Sequence, residues 1–188
     1  MYGRDMAAWI WIFIILAGGL FALKILYVLG IALVLPFTQG ALYVSTSRAK
    51  IAAFINAVPM RADQTLVDLG CGDGRVLREA QKRYGVHTIG YEINPMAYLK
   101  ARLFSFGQNK IKIRREDFWE ADLSDADVVF CYLYPDVMKK LASKLAVGLK
   151  PGTVVVSSNF SIPGFVPSKV LRLENSWHND PIYVYRLK

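Results

Sequence analysis

Three acids and three glycines carry the spacing of a nucleotide-handling site. The stretch is Thr65-Leu66-Val67-Asp68-Leu69-Gly70-Cys71-Gly72-Asp73-Gly74-Arg75. A short apolar run bearing an acid, then glycine at every second position, reads as a buried strand entering a tight turn. A helix is expected to start at or just after Gly74. Glycine lets the backbone take dihedrals closed to other residues and approach a ligand with no Cβ in the way. The N–H groups of such a turn, with the helix N-terminus behind them, form a positive pole for a carboxylate or phosphate. Glu92 stands 22 residues beyond Gly70, at the expected end of the next strand. A carboxylate there can accept from both ribose hydroxyls, which a nicotinamide or a sulfonium cofactor would equally present. Asp117 followed by Phe118 suits an adenine, with an acceptor for the exocyclic amine and an apolar face for the ring; Asp117 suits a cap on the following segment as well. The acid at Asp73 is ill placed beside the pyrophosphate of a dinucleotide but tolerable beside an ammonium and a sulfonium.

The elements that must position these residues alternate along the chain. Strands are expected over 66–69, 86–92, 110–115, 128–132 and 153–158, with helices over 75–84, 96–106 and 136–149 between them. Thr46 or Ser47 can cap a further helix that runs to about Val58, where Pro59 stops it. This alternation means parallel strands with helical crossovers, an open α/β sheet. Residues 170–173 and 182–187 read as a closing hairpin around Asn179-Asp180-Pro181, which brings the strand count to seven. In such sheets ligands sit beyond the carboxyl ends of the strands. Those ends bring in Asn94, after Glu92; Tyr132 and Tyr134, after the fourth strand; and Asn159, after the fifth. Asp136 can cap the helix that starts there or accept a proton. Tyr43, Ser45 and Ser47 are placed to form a lid or an ordinary linker and cap. His87 and His178 fall away from the strand ends.

The 188 residues have a net charge of +8, 54% hydrophobic content and a mean hydropathy of +0.28. The apolar excess is local. Residues 7–35 carry one charge, Lys24, and a bilayer core needs ~20 apolar residues for one helical crossing. One span is the economical reading, because the run is too short for two crossings and a turn and too long for a cleaved signal peptide. Arg48 and Lys50 on the far side place the rest weakly on the cytoplasmic (or mitochondrial matrix) side by the positive-inside bias. From Val44 onward the charge is +7, scattered except at Lys110-Ile111-Lys112-Ile113-Arg114-Arg115, which reads as a strand with one charged face. Basic and aromatic residues are little interleaved, so nucleic acid is not an expected partner. Cys71 and Cys131 belong to no metal-ligand spacing and read as reduced structural thiols; no metal is expected.

Val67-Asp68-Leu69-Gly70-Cys71-Gly72-Asp73-Gly74 resembles the first motif of class I S-adenosylmethionine-dependent methyltransferases. Glu92 and Asp117 fall where that family binds ribose and adenine, and Leu149-Lys150-Pro151-Gly152 resembles its approach to the fifth strand. The N-terminal span is similar to that of the small membrane-anchored lysine methyltransferases that act on the c-subunit of ATP synthase. So are Gly72-Asp73-Gly74-Arg75, Gly90-Tyr91-Glu92-Ile93-Asn94-Pro95 and Glu116-Asp117-Phe118-Trp119. The resemblance implies a Rossmann-like seven-stranded sheet with helices on both faces over residues 37–188, preceded by a tail and single transmembrane helix over 1–36. It implies S-adenosyl-L-methionine as cofactor, held by Asp68, Gly70, Cys71, Gly72, Gly74, Glu92, Asn94, Asp117 and Phe118. Tyr132, Tyr134 and Asn159 would orient a lysine of a membrane protein. Asn159 departs from the arginine often found at its position in that group. A methyltransferase of a quinone or lipid head group, or a non-catalytic scaffold with the same fold, remain alternative readings.

Overall fold

The computed structural model describes residues 2–34, 45–173 and 180–187, and the chain divides into two units, Met1–Leu42 and Tyr43–Lys188. In the first, helix α1 runs unbroken over Tyr2–Val34, about 50 Å at 1.5 Å per residue. Its segment Ala8–Gly30 has a mean hydropathy of 2.5 and is long and apolar enough to cross a membrane. Trp9, Phe13, Leu16, Leu20 and Leu26 are all exposed, so apolar side chains surround the helix rather than forming one buried stripe.

The second unit holds a seven-stranded sheet. Its elements, in chain order, are helix α2 (Arg48–Ala57), β1 (Thr65–Leu69), α3 (Arg75–Tyr84), β2 (His87–Tyr91), α4 (Pro95–Phe104), β3 (Ile111–Arg114), β4 (Val128–Cys131), α5 (Met138–Gly148), β5 (Val154–Ser158), β6 (Lys169–Leu171) and β7 (Ile182–Arg186). The strand order is β3-β2-β1-β4-β5-β7-β6. Strands β1 to β5 are parallel, and β7 runs antiparallel to both β5 and β6. Chain order reverses between β1 and β4, the switch point at which open α/β sheets leave a crevice. Asp68 lies there, opposite Gly90 on one side and Phe130 on the other.

Alternation along the strands sends neighbouring residues to opposite faces. Leu66, Phe130 and Val156 pack with Ile51, Phe54 and Ile55 of α2, Val76, Leu77 and Ala80 of α3 and Ala101 of α4. Val67, Leu69, Val129, Cys131 and Val155 pack on the other face with Met138, Leu141 and Leu145 of α5. Helices thus cover both faces, as the strand–helix alternation requires.

The expected elements form, most of them a residue or two shorter at an end. One differs in kind. Residues 136–149 are not one helix, because a single 3-10 turn, Pro135–Val137, precedes α5. Asp136 sits inside that turn, exposed, and makes no capping hydrogen bond. The proline ahead of it explains the difference: Pro135 starts the turn one residue before Asp136, so the acid is no longer the boundary residue.

Candidate active site

The glycine turn joins the end of β1 to α3 in three left-handed steps, with φ of 91° at Gly70, 57° at Gly72 and 76° at Gly74. An L side chain rarely adopts these angles, so three glycines in alternation are the local cause of the turn. The turn is pinned to the next strand, because the N–H groups of Gly70 and Cys71 both donate to the Tyr91 carbonyl, at 3.0 and 2.9 Å. Gly90 brings β2 close enough to touch it. A Cβ on Gly90 would stand 2.6 Å from the Cys71 Sγ and 2.5 Å from a Leu77 methyl. Gly74 then caps α3, and its N–H donates to the Cys71 carbonyl at 2.8 Å.

Glu92 faces this turn. Its Oε2 accepts from the Gly72 N–H and its Oε1 from the Asn94 N–H, both at 2.8 Å. Each oxygen keeps a lone pair for a further donor such as a ribose hydroxyl. Burial pushes the Glu92 carboxyl up, and the N–H groups of Asn94, Gly72 and Ile93 work against it. Asn94 itself caps α4 by accepting from the N–H groups of Met96 and Ala97. On the adjacent strand end, Asp117 Oδ1 accepts from the Trp119 N–H at 3.0 Å. The capping role is therefore real, and Oδ2 is left over for an adenine amine. Phe118 lies against Trp119, ring centres 4.6 Å apart.

Asp68 is 2% exposed, and no hydrogen bond reaches its carboxylate among the described residues. Burial, with Glu92 and Asp73 adding repulsion, raises its pKa well above the ordinary carboxylate value. A buried acid without a donor is costly unless a cation arrives. Asp73 is answered within the protein. Burial would raise its pKa, but the Arg75 guanidinium grips both of its oxygens, at 2.9 and 2.7 Å, and holds the carboxyl below its usual value. Arg75 also donates to the Thr46 carbonyl.

A small cleft runs along the turn; its lining includes Ser45, Thr46, Asp68, Gly70, Cys71, Gly72, Asp73, Arg75 and Tyr132, and does not include Glu92, Asn94, Asp117 or Phe118. Of the three residues expected to form a lid or a linker, Ser45 borders the cleft. Ser47 instead caps α2 by accepting from the Lys50 N–H. Tyr43 and His178 lie outside the described residues, and His87 is exposed at the far end of β2. Both cysteines are buried and free, and burial pushes the Cys131 thiol up to about 12. No cluster of metal-ligating side chains occurs among the described residues.

At the ends of β4 and β5, Asn159 Nδ2 donates to the Tyr132 hydroxyl at 3.1 Å. Tyr134 is exposed and outside the cleft lining. Two members of this group are absent from the sequence reading of the site, Lys50 and Asp180, which bond to Asn159. A signal for Lys50 existed: a lysine set in the apolar stripe of α2, one residue before Ile51 and four before Phe54. Asp180 had none beyond a turn-like Asn-Asp-Pro.

The cleft suits S-adenosylmethionine. Asp68 is a buried carboxylate in its lining with no hydrogen bond among the described residues, Glu92 is tied to the turn beside it, and the repulsion between the two acids favours a cationic ligand over a pyrophosphate. Comparison with known proteins agrees. The ANTKMT methyltransferase domain matches residues 68–169. A protein-lysine N-methyltransferase of Saccharolobus islandicus is 35% identical over 148 residues, 76% of this chain and 91% of that protein. The ATP synthase c-subunit lysine N-methyltransferase of Xenopus laevis is 29% identical over 150 residues, and the aligned part is 74% of this chain and 65% of that one. Among solved structures, an RNA methyltransferase from Salinibacter ruber in complex with S-adenosyl-L-homocysteine superposes with a TM-score of 0.71 at 33% identity, over 77% of this chain and 94% of that one. The chain therefore uses S-adenosylmethionine and belongs to the ANTKMT methyltransferase domain family.

Proposed function

We propose that this protein is a membrane-anchored protein-lysine N-methyltransferase whose acceptor is a lysine of a membrane protein. The observation that carries the reading is the junction at Tyr132. Tyr132 lines the donor cleft, while its hydroxyl meets Asn159 and its ring lies beside the Lys50 amine. S-adenosylmethionine supplies an activated methyl group on a sulfonium. Asp68 would hold its ammonium, Glu92 its ribose hydroxyls, and Asp117 with Phe118 its adenine, while the turn at Gly70, Gly72 and Gly74 keeps the backbone close. Cys71 fills the turn behind Gly90, and Asn94 supplies an N–H to Glu92. Tyr132 and Asn159 orient the acceptor amine, with Tyr134 at the rim. The chain's work is alignment and exclusion of water, since the donor is already activated.

Helix α1 supports anchoring, and the relatives named for lysine methylation support the acceptor class. The domain would face the cytoplasm or the mitochondrial matrix. That side rests on Arg48, because Lys50 is buried inside the domain and ion-paired. RNA is a second reading, raised by the Salinibacter ruber neighbour; the sparse interleaving of basic and aromatic residues argues against it. The test is incubation of the purified full chain with methyl-labelled cofactor and native membranes. Label that runs with protein and survives as methyl-lysine after hydrolysis is expected. Label that extracts with lipid, or is removed by ribonuclease, overturns the proposal. Asp68→Ala and Glu92→Ala should each abolish transfer while the domain stays folded by circular dichroism.

A further inference from the structure

Lys50 is the buried ion that the chemistry of donor binding does not use. It sits on the inward side of α2 with its side chain only 9% exposed. Its ammonium donates to Oδ1 of Asn159 and, at 3.0 Å, to Oδ2 of Asp180, and lies 5.5 Å from the centre of the Tyr132 ring. A carboxylate, an amide oxygen and an aromatic ring around one nitrogen form a set of partners that an alkylammonium needs when it leaves water. The cradle is built with care. Asn159 Nδ2 bridges Tyr132 Oη and Asp180 Oδ2, each at 3.1 Å, and the Ser158 hydroxyl donates to Asn159 Oδ1 at 3.2 Å. Asn159 holds this position at φ 73°, the single non-glycine residue at positive φ among the described ones. Strained backbone of this kind persists where the surroundings over-determine it, typically at functional sites.

We propose that this cradle is the seat of the acceptor's lysine ammonium, and that Lys50 occupies it in the free protein as an internal stand-in that the acceptor displaces. The proposal rests on the lysine reading above. Three observations separate a seat from a mere brace. A buried ion pair gives little net stability over apolar residues of the same volume, so packing alone does not call for a lysine at this position. The cradle shares Tyr132 with the donor cleft, which puts the amine next to where methyl transfer must occur. Asp180 remains a third exposed, which leaves the seat open to a side chain arriving from outside. The seat selects an alkylammonium, ahead of the proton loss that any N-methylation requires, and Lys50 makes entry competitive.

Two measurements on the full chain test this. Lys50→Ala empties the seat, and n-butylammonium is the probe. Calorimetry should show the amine binding to Lys50→Ala and binding at least tenfold more weakly to Lys50→Ala/Asp180→Asn. In transfer assays with the membrane acceptor used above, n-butylammonium should inhibit Lys50→Ala competitively against acceptor and not against donor. If the native seat is vacant in about a tenth of molecules, Lys50→Ala lowers the KM for acceptor about tenfold without lowering kcat. Should the alanine variant fold poorly, Lys50→Met keeps the length without the charge and should show the same fall in KM. An unchanged or raised KM, or amine binding that does not compete with acceptor, makes Lys50 a brace between α2 and the strand ends and overturns the proposal. Absence of any labelled protein with the native chain defeats the lysine reading instead, and leaves the calorimetric test of the seat standing.

Discussion

Gly90→Ala is a one-methyl perturbation aimed at the contact that holds the donor turn in place. Gly90 lies in β2, opposite Asp68. The added Cβ would meet the Leu77 Cδ1 at 2.5 Å, the Cys71 Sγ at 2.6 Å and the Cys71 Cβ at 2.8 Å, against an optimum of about 3.5–4.0 Å. A Leu77 methyl can swing aside. The Cys71 Cβ cannot, because the backbone N–H of Cys71 and that of Gly70 are both tied to the Tyr91 carbonyl one residue past Gly90. The methyl must therefore push the turn and β2 apart. Overpacking of this size costs about 1–3 kcal/mol, and with an unyielding neighbour the upper half of that range is expected. For a chain of this length that is a fall in Tm of roughly 4–12 °C. The same displacement carries the Gly72 N–H away from Glu92, so affinity for S-adenosylhomocysteine should drop at least tenfold, about 1.4 kcal/mol. Equilibrium urea unfolding and isothermal titration measure the two effects. Cys71→Ala in the Gly90→Ala background removes the Sγ overlap and should restore part of both losses. A Gly90→Ala protein with native stability and native affinity would refute the claim that close approach of β2 positions the turn.

Three further outcomes follow from the charges and from α1. Asp68, raised by burial, keeps its proton in the free protein from the ordinary carboxylate value up to its raised one. Binding of the donor's ammonium should therefore release a proton within that window, and affinity should rise with pH across it. Titration in two buffers of different ionisation heat detects the release, which Asp68→Asn should abolish; equal heats in both buffers for the native chain would count against an ammonium partner. Arg75→Met strands the buried Asp73 carboxylate. Since Arg75 keeps 34% of its side chain in water against 11% for Asp73, the loss should be about 1–3 kcal/mol, below that of a fully buried pair. Asp73 has a depressed value, so its contribution is present above its unfolded pKa and is lost as pH falls through its folded one. The gap between variant and native chain in urea unfolding should accordingly close in acid, and a pH-independent gap would refute the pairing argument. In α1, Leu16→Lys with Leu20→Lys puts two charges mid-span at about 2.5–3.5 kcal/mol each. The native chain should stay in the membrane pellet after an alkaline wash and the variant should be extracted; retention of both would exclude α1 as the anchor.

Much of the sheet was legible from local pattern. Strand–helix alternation, the proline and glycine stops and the three left-handed glycines are properties of short stretches, and the elements form where those stretches place them. Pro135 shows the limit of such reading: it moved the boundary by one turn and removed Asp136 from the cap position. The cofactor acids were readable because each stands within three residues of a strand's carboxyl end, and parallel strands must deliver those ends to one edge.

Residue order alone was enough to set the fold class, the apolar N-terminal helix and the positions of Asp68, Glu92 and Asp117 at consecutive strand ends, since periodicity and turn chemistry act within about ten residues. Packing in three dimensions, in contrast, chose which side chains share a site. Lys50, Tyr132, Asn159 and Asp180 come from a helix and from three strand ends separated by up to 130 positions. The antiparallel return of β7 beside β5 is what brings Asp180 back to Asn159. Charge pairing across such distances leaves no local pattern in the chain, because it is set by burial: an ammonium on an inward helix face takes whichever anion the packing brings within reach.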